Sequence, residues 1–321
     1  MPEPRPCPAC GGPLAPWRRV PSSDPTAAPG SFHLLRCARC ASAVTIEPAP
    51  AEAHETGAYG GGSPRLYRLA APLLAWFDRR RLRLVRRAVP APARLLDAGA
   101  GRGRFVASAG SAGYAAAGIE PSARGIAGAR ELPVRVIRAS IDSAEIDDGS
   151  FDAVTLWHVL EHLEDPASAI ETIARWLRPG GALLVGVPNL ASLQARIGGE
   201  CWYHLDVPRH RTHFTADGIA SLLAAHGLAI VRTTHVLAEQ NPFGMWQSLV
   251  SRVTREPSYL YHLLKRNAPV VSPDLPITLL ALPLVPVAAA LELMAGLAGR
   301  GGTIAVLAQR VSDPGSGAEY D

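Results

Sequence analysis

Residues 95–105 have the sequence LLDAGAGRGRF, an apolar run that ends in an acid and continues into three alternating glycines. The apolar residues predict a buried strand that ends at Asp97. Gly99, Gly101 and Gly103 allow the backbone to turn tightly beneath a bulky ligand before a helix begins. A dinucleotide fingerprint of the form G-x-G-x-x-G would need glycine directly after Gly103, so the loop disfavours hydride transfer.

Short apolar segments recur around this stretch, and helical patterns separate them. Strands that alternate with helices predict βαβ units, which form a mostly parallel sheet that binds its ligand at the carboxyl edge. We therefore expect an α/β fold of seven strands, at residues 94–98, 115–120, 134–138, 151–156, 183–187, 228–236 and 303–310.

Acidic residues follow two of these strands. Glu120 ends the second strand, about 20 residues after the glycine loop, where a carboxylate can accept both hydroxyls of a ribose. Asp142 follows the third strand and is placed to receive an adenine amino group, although Ser140 or Ile141 could occupy that position instead. The pattern predicts an adenosine site.

Four sequence blocks in a fixed order resemble the class I S-adenosylmethionine-dependent methyltransferases of the type 11 or 23 kind, over about residues 95–310. The resemblance implies a Rossmann-like, seven-stranded sheet with helices on both faces and a reversed last strand, a position that residues 303–310 fit. The blocks are DAGAGRGRF (97–105), GIEP (118–121), FDAVTLWHVLEHLEDP (151–166) and LRPGGALLVGVPN (177–189).

The resemblance also implies roles for individual residues toward S-adenosylmethionine. Asp97 would support the glycine loop near the methionine amino group, while Gly99, Gly101 and Gly103 would pack beneath the cofactor. Glu120 would hold the ribose, and Trp157 would line the adenosine or sulfonium region. In the alternative interpretation the glycines only let helix and sheet approach closely, but that role would not require an acid at position 120.

Methyl transfer to a hydroxyl is helped by a base that removes its proton, and histidines supply the candidates. We prefer His210 and His213, in CWYHLDVPRHRTHF, followed by His158 in WHVLEHL. Bracing of the 204–213 loop by hydrogen bonds is an equally good interpretation, and Arg209 and Arg211 suit an anionic acceptor. The other candidates are His162 and His204.

A metal is an alternative use of the WHVLEHL segment. Some quinone O-methyltransferases of this class have an acid, a glutamate and a histidine at corresponding positions that bind a divalent metal, and here His158 replaces the first acid. With Glu161 and His162 it forms a donor set suited to zinc or iron. The same residues are also typical of the start of a helix.

Two CxxC pairs, Cys7/Cys10 and Cys37/Cys40, predict a small zinc ribbon over residues 1–48, with four thiolates around a structural Zn²⁺. Residues 49–64 have the composition of a linker before the methyltransferase domain, 65–310, and residues 311–321 that of a flexible tail. The ribbon raises RNA methylation as the runner-up function, although a net charge of +4 is low for an RNA-binding protein.

Composition bounds the remaining alternatives. With 48% hydrophobic and 19% charged residues the chain can bury a core, and Lys265, its only lysine, does not follow a glycine, which excludes a P-loop kinase. The N-terminal sequence has no apolar signal segment, so we expect a cytoplasmic protein, with contact to the inner face of the membrane as an option.

That option rests on a basic helix at 65–87 and an apolar insertion at 238–302, in which 276–298 has only one charged residue. The prolines in this stretch disfavour one straight span, and it could serve as a lid, a membrane contact or a dimer contact. We predict an O-methyltransferase for a small-molecule or lipid-linked hydroxyl acceptor such as a glycan, quinone or polyketide-like compound; a non-catalytic zinc-ribbon interaction protein is the non-enzyme alternative.

Overall fold

The computed structural model describes residues 6–23, 30–48, 64–264 and 268–311, with the side chains of 64–69 excepted. The predicted linker lies outside the described residues apart from Pro64, which begins the first helix, and so does the predicted tail beyond Val311.

The described residues form two sheets, whose strands in chain order are β1 (Leu14–Pro21), β2 (Ser31–Cys37), β3 (Ala43–Thr45), β4 (Arg94–Ala98), β5 (Ala115–Ile119), β6 (Arg135–Ile137), β7 (Phe151–Trp157), β8 (Leu177–Pro188), β9 (Thr212–His213), β10 (Leu228–Thr234) and β11 (Thr303–Arg310). The larger sheet has the order β10-β11-β8-β7-β4-β5-β6. Its strands run parallel except that β11 is antiparallel to both neighbours. The predicted seven-stranded sheet with a reversed last strand is confirmed.

The helices are α1 (Pro64–Arg86), α2 (Arg104–Ser111), α3 (Ala123–Ala129), α4 (Pro166–Trp176), α5 (Leu193–Gly198), α6 (Ala216–Ala225), α7 (Asn241–Val250), α8 (Tyr259–Leu264), α9 (Asp274–Leu280) and α10 (Val285–Leu297). Helices pack on both faces of the large sheet. Successive side chains of each strand point to opposite faces, so each strand contributes to two cores. Leu96 and Val154 pack into a core with α4 and α6, whereas Leu95 and Ala153 pack with α1 and α2.

Helix α1 buries a face that carries both apolar and charged residues. Leu73 is 53% exposed, whereas Asp78, Arg81, Leu82 and Val85 are buried. These buried positions have helical spacing, and two of them are charged. Part of the arginine-rich pattern therefore belongs to the interior of the domain and not to its surface.

The small sheet has the order β1-β2-β3-β9 and joins the N-terminal segment to the large domain. Its last strand, β9, comes from the insertion after β8, and Ala43 and Val44 pair with His213 and Thr212. The core beneath it is continuous: Cys7, Cys37 and Cys40 lie in the same cluster of buried side chains as Phe214 and Ile219.

The second insertion places α7, α8, α9 and α10 between β10 and β11. Within the described residues, no single helix combines the length and the apolar composition needed to cross a membrane. The bent pair Asp274–Leu280 and Leu282–Leu297, at 41°, would meet that requirement only when both parts are taken together. The bend follows Leu280, and Pro283 lies in the short 3-10 turn that joins the two parts.

Candidate active site

The glycine loop after β4 has the conformation that the sequence predicts. Gly99, Gly101 and Gly103 all have positive φ, at 81°, 53° and 75°, where residues with side chains are strained. A Cβ at Gly99 would lie 2.3 Å from a methyl of Val159. A Cβ at Gly101 would meet nothing within 4 Å, so this side of the loop is open toward the carboxyl edge of the sheet and has space for a ligand.

Asp97 lies under this loop as a buried acid with two partners. Its carboxylate accepts hydrogen bonds from Arg81 of α1 and from the Thr155 hydroxyl, the latter at 2.6 Å. Thr155 is its neighbour across the parallel β4–β7 pair. Burial raises the pKa of Asp97, and the Arg81 charge opposes this shift. The side chain of Asp97 is thus fixed by α1 and β7 together.

Glu120 connects the end of β5 to the glycine loop. One carboxylate oxygen accepts from the Gly101 N–H at 2.9 Å, and the other accepts from the Ser122 N–H at 3.0 Å and its hydroxyl at 2.5 Å. Each oxygen retains capacity for a further donor. The carboxylate is therefore positioned beside the open face of Gly101, at the place where the sequence predicts the ribose.

The other two predicted cofactor residues differ in burial. Trp157 ends β7, and its ring fills the space in front of Gly186, where a Cβ would lie 2.5 Å from the indole. Its indole N–H is buried and has no hydrogen-bond partner among the described residues. Asp142 lies exposed in the turn after β6, whereas Ile141 beside it is 6% exposed. The choice among Ser140, Ile141 and Asp142 for the adenine stays a prediction.

The four cysteines form one cluster. The Sγ atoms of Cys7 and Cys40 are 3.7 Å apart, those of Cys10 and Cys37 are 3.5 Å apart, and all four lie within 4.8 Å of one another. Thiolates at 2.3 Å from a tetrahedral Zn²⁺ would be about 3.8 Å apart, so this donor set fits the ion. The fifth cysteine, Cys201, is outside the cluster.

The ionisation of these thiols also fits a bound cation. Burial raises the pKa of Cys7, so its thiolate needs a positive charge nearby. Burial also raises the pKa of Cys37, but hydrogen bonds from the backbone amides of Cys40 and Arg39 outweigh it and lower this pKa to about 7. A zinc ion would displace both protons.

A polar cavity of about 300 Å³ lies where the His-rich insertion meets the carboxyl end of β7. The N-terminal segment reaches it through Ser23, whose hydroxyl donates to Asp206 at 3.0 Å. Residues from five parts of the chain share its wall, among them histidines, two tyrosines and one acid. The residues that line it are Ser23, His158, His162, Tyr203, His204, Asp206, His210, Gln240, Ser258, Tyr261 and His262.

His158 and Glu161 form a carboxylate–imidazole pair at one end of the cavity. The His158 Nδ1 is 3.0 Å from the ionised Glu161 carboxylate and therefore donates to it. The His158 Nε2 is buried and has no partner among the described residues. Burial raises the pKa of Glu161, but His158 and its other histidine neighbours lower it to about 2, which keeps the carboxylate ionised.

Three cavity residues have a backbone in the left-handed region. His158 has φ 55°, Asp206 has φ 41° and Ser258 has φ 60°. Such conformations cost free energy for residues with side chains and are concentrated at functional sites. These strained backbone conformations support a functional assignment for the cavity.

His210 is the second histidine whose tautomer is set by its partner. Its Nδ1 lies 2.9 Å from the His204 carbonyl oxygen and therefore donates, which leaves Nε2 to face Asp206 at 3.7 Å and Glu161 at 4.0 Å. His210 and His162 are in ring contact, with centroids 4.6 Å apart. The structure thus brings His158, His162 and His210 to one cavity.

His213 is not part of the cavity lining. Its Nε2 lies 2.9 Å from the Thr45 hydroxyl, which also donates to the His210 carbonyl at 2.8 Å. Burial lowers the pKa of His213 to about 3, and the charge of His210 adds to this shift. Its geometry matches the bracing interpretation, while a catalytic role stays a prediction.

A family model described as a methyltransferase domain matches residues 70–233, about half of the chain. The chain belongs to this methyltransferase family. The matched residues contain the glycine loop, Glu120, Trp157 and the histidine cavity wall from β7 to β9, and the predicted class I S-adenosylmethionine-dependent methyltransferase is confirmed.

Curated relatives of this methyltransferase match it in part. A ubiquinone biosynthesis O-methyltransferase from Alkalilimnicola ehrlichii is 36% identical over 103 residues, which cover 30% of this chain and 42% of the relative. One from Xanthomonas oryzae is 35% identical over 134 residues, which cover 39% and 56%. The chain thus spans about half the length of these relatives.

The chain also has partial similarity to solved structures. An S-adenosylmethionine-dependent methyltransferase from Archaeoglobus fulgidus superposes with a TM-score of 0.48 at 18% identity, covering 74% of this chain and 93% of the other.

Several site residues of this methyltransferase were not among the sequence candidates. Arg81 has helical spacing from Leu82 and Val85 and lies with them on one face of α1. This spacing identifies Arg81 as a buried charge only once that face is known to be buried. Asp206, Ser23 and His262 enter the cavity from segments that are far apart in sequence. No local pattern indicated that they meet.

Proposed function

We propose that this protein is an S-adenosylmethionine-dependent O-methyltransferase for a small-molecule or lipid-linked hydroxyl acceptor. The observation that carries the proposal is the buried His158–Glu161 pair in the wall of the cavity, next in sequence to Trp157, the predicted cofactor residue; the His158 Nε2 has no partner among the described residues. The names of the curated relatives, which are O-methyltransferases of ubiquinone biosynthesis, support hydroxyl oxygen as the acceptor atom.

The cofactor contributes a methyl group on a sulfonium. The residues at the carboxyl edge fit it, because Gly101 leaves open space and Glu120 supplies a carboxylate for the ribose hydroxyls. Asp97 holds the glycine loop near the amino-acid end, with Arg81 and Thr155 fixing its carboxylate. The Trp157 ring is in edge contact with the His158 ring, with centroids 6.1 Å apart, and so adjoins a cavity residue.

The cavity residues then orient the acceptor and take its proton. His158 accepts the hydroxyl proton at Nε2, and Glu161 stabilises the imidazolium that results, as a buried carboxylate does for a general base. His210 places a second Nε2 next to Asp206 and serves as the alternative base. Tyr203 and Tyr261, with ring centroids 5.6 Å apart, provide aromatic surface for the acceptor.

A metal is a second use for the same corner. Glu161, His162 and His210 have donor atoms within 4.8 Å of one another, which replaces His158 by His210 in the donor set that the sequence suggests. Imidazole-rich sets suit zinc or iron better than magnesium. If activity survives chelation that spares the four-cysteine site, the metal is not catalytic, and the His158 base remains.

RNA methylation is the competing enzyme function. In the N-terminal sheet Arg18 and Arg36 lie 3.6 Å and 5.0 Å from the centroid of the Trp17 ring. These groups engage one another within a single cluster and form no row of stacking aromatics, so the N-terminal sheet gives this alternative less support than the cavity gives a small acceptor.

The proposal is tested by incubating the protein with methyl-labelled cofactor and separate lipid, RNA and metabolite extracts. We expect label in a lipid or metabolite fraction, an O-methyl product by mass spectrometry, and at least a hundredfold loss of turnover in His158→Ala with unchanged adenosylhomocysteine affinity. His226→Ala, outside the cavity, is the control. Label in RNA would favour the RNA alternative, and no transfer to any fraction would favour the non-catalytic interaction protein.

A further inference from the structure

Helix α10 exposes its large apolar side chains and buries its one acid, the opposite of what is usual for a surface helix of a water-soluble protein. Its buried face carries Ala288, Glu292 and Ala295, whereas Leu293, Met294 and Leu297 are 49%, 58% and 75% exposed. The preceding turn and α9 continue this surface. We call it the apolar ridge; its exposed members are Leu279, Leu280, Leu282, Leu284, Val285, Val287, Leu293, Met294 and Leu297.

Both acids of the segment are turned away from this ridge. Asp274 is 1% exposed and accepts from the Arg255 and Glu256 N–H groups at 2.9 and 3.0 Å. Glu292 is 3% exposed and accepts from the Gly302 N–H at 2.7 Å. Since residues 268–298 contain no other charged residue, the exposed surface of the ridge carries no formal charge.

Exposed arginines border the ridge at both ends. Arg255 lies at the start of α9, where its backbone N–H meets Asp274, and Arg300 follows the end of α10. An uncharged apolar surface between two cations matches a bilayer whose surface is anionic, because apolar side chains enter the acyl region while guanidinium groups remain at the headgroups. Residues 268–300 offer no exposed acid that could meet these arginines in a contact between two copies.

We propose that the apolar ridge docks on the surface of an anionic lipid bilayer. Contact is peripheral: the ridge lies in the interface, and the seven-stranded domain remains in water. Exposed apolar surface of this extent is unusual in a monomer that has no partner for it, and a lipid surface covers it without a matching protein contour.

The ridge is also connected to the cavity. Helix α8 packs against α9 and carries Tyr261 and His262 to the cavity wall. The Tyr259 hydroxyl ties α8 to the residues before α9 by donating to the Pro269 carbonyl at 2.8 Å. Docking would hold the cavity near the membrane, so an acceptor that is dissolved in or attached to the lipid would reach it. This link between docking and the acceptor rests on the proposed function.

The test is flotation of the full chain with vesicles of phosphatidylcholine, with and without one third phosphatidylglycerol. We expect flotation with the anionic vesicles, at least a tenfold loss for the double variant Leu280→Ser/Leu297→Ser, and a smaller, salt-dependent loss for Arg255→Gln/Arg300→Gln. Val231→Ser is the matched control, because Val231 is a 54% exposed apolar residue on β10. This control should float like the wild type.

Three results would overturn the inference. The first is a wild type that floats with neither vesicle, and the second is a double leucine variant that floats as well as the wild type. The third is a wild-type dimer in sedimentation that the double variant dissociates, with no flotation of either protein; this result would assign the ridge to contact with a second copy. Adenosylhomocysteine titration of every variant, without vesicles, verifies the fold and tests the cofactor site separately from the ridge.

Discussion

Two buried acids at the carboxyl edge have separate tasks that their partners define. The Oδ1 atom of Asp97 accepts from both Arg81 and Thr155, which fix this carboxylate as part of the scaffold of the loop. Glu120 accepts from the Gly101 and Ser122 donors while keeping lone pairs on the open side. Of the two, Glu120 is the acid whose removal should affect the ligand directly.

Glu120→Ala should weaken adenosylhomocysteine binding at least a hundredfold, because two charge-assisted hydrogen bonds to the ribose contribute about 1.5 kcal/mol or more each. Calorimetric titration measures this. Glu131→Ala removes an exposed acid nearby and should leave affinity unchanged. An affinity for Glu120→Ala within twofold of the wild type would refute the ribose assignment, provided that the melting curve shows a folded protein.

His213→Gln should flatten the acid dependence of stability. Burial lowers the pKa of His213 to about 3, whereas an unfolded histidine titrates near 6.5, so only the unfolded chain takes up this proton between those values. Stability present above pH 6.5 is thus lost as pH falls toward 3, by up to about 1.4 kcal/mol per pH unit. Glutamine keeps a hydrogen-bonding group for Thr45 and cannot become charged.

Urea unfolding at pH 5.0, 5.5, 6.0 and 7.0 compares the two proteins. The lowered pKa of Glu161 contributes only below about 4.5 and is common to both. Equal slopes for the wild type and His213→Gln would mean that His213 is protonated in the folded protein.

At the scale of elements, the short strands β3 and β9 connect the N-terminal sheet to the histidine cavity. The Thr45 N–H donates to the Arg211 carbonyl at 2.9 Å, and the Arg211 N–H donates to the Glu161 carbonyl at 2.8 Å. Thr45 also bonds His210 and His213 through its hydroxyl. One threonine of β3 therefore fixes the loop that carries the candidate bases.

Thr45→Val should increase hydrogen exchange of residues 204–214 about fivefold, because losing one net hydrogen bond costs about 1 kcal/mol of local stability. Thr45→Ser keeps the hydroxyl and should exchange at the wild-type rate. Mass spectrometry of peptic peptides measures the exchange. Ser221→Ala, which removes an exposed helix hydroxyl from α6, is the control, and a loop unaffected by Thr45→Val would show that the pairing alone holds it.

The sequence predicted the strands of the large sheet because each is an apolar run with a turn on either side, and their bounds agree with the structure within a few residues, apart from β8, which begins six residues earlier than predicted. It also selected His158 and His210, which the structure brings to one cavity, and the cysteine pairs, which form one cluster; the roles of these residues stay predictions. It did not predict that Arg81 is buried beside Asp97 or that β9 joins the N-terminal sheet. Both depend on contacts between distant segments, and a local pattern carries no information about them.

For the whole molecule, the cysteine cluster and the large domain share one core, so a metal at the cluster should stabilise more than the N-terminal sheet. The Thr215 hydroxyl, at the start of α6, donates to the Cys40 carbonyl at 2.6 Å. The Cys40 backbone thus holds the first turn of a helix that packs against the large sheet.

Cys40→Ser, or removal of zinc by a chelator, should lower the melting temperature by on the order of 10 °C, because structural zinc contributes several kcal/mol to folding. It should also increase exchange in residues 204–214. Elemental analysis should find one zinc per chain in the wild type. Cys201→Ser removes a thiol outside the cluster and should change neither the melting temperature nor the zinc content. A wild-type protein without zinc would contradict the assignment.

The pairing of β3 with β9 has a consequence for protein engineering. Residues 30–48 and the loop at 204–215 interlock through backbone pairs and the bonds of Thr45 and Thr215. A chimera that takes its amino-terminal segment from a relative and keeps the loop of the recipient would combine two segments whose contacts do not match. The two segments should be transplanted together, as a single cassette.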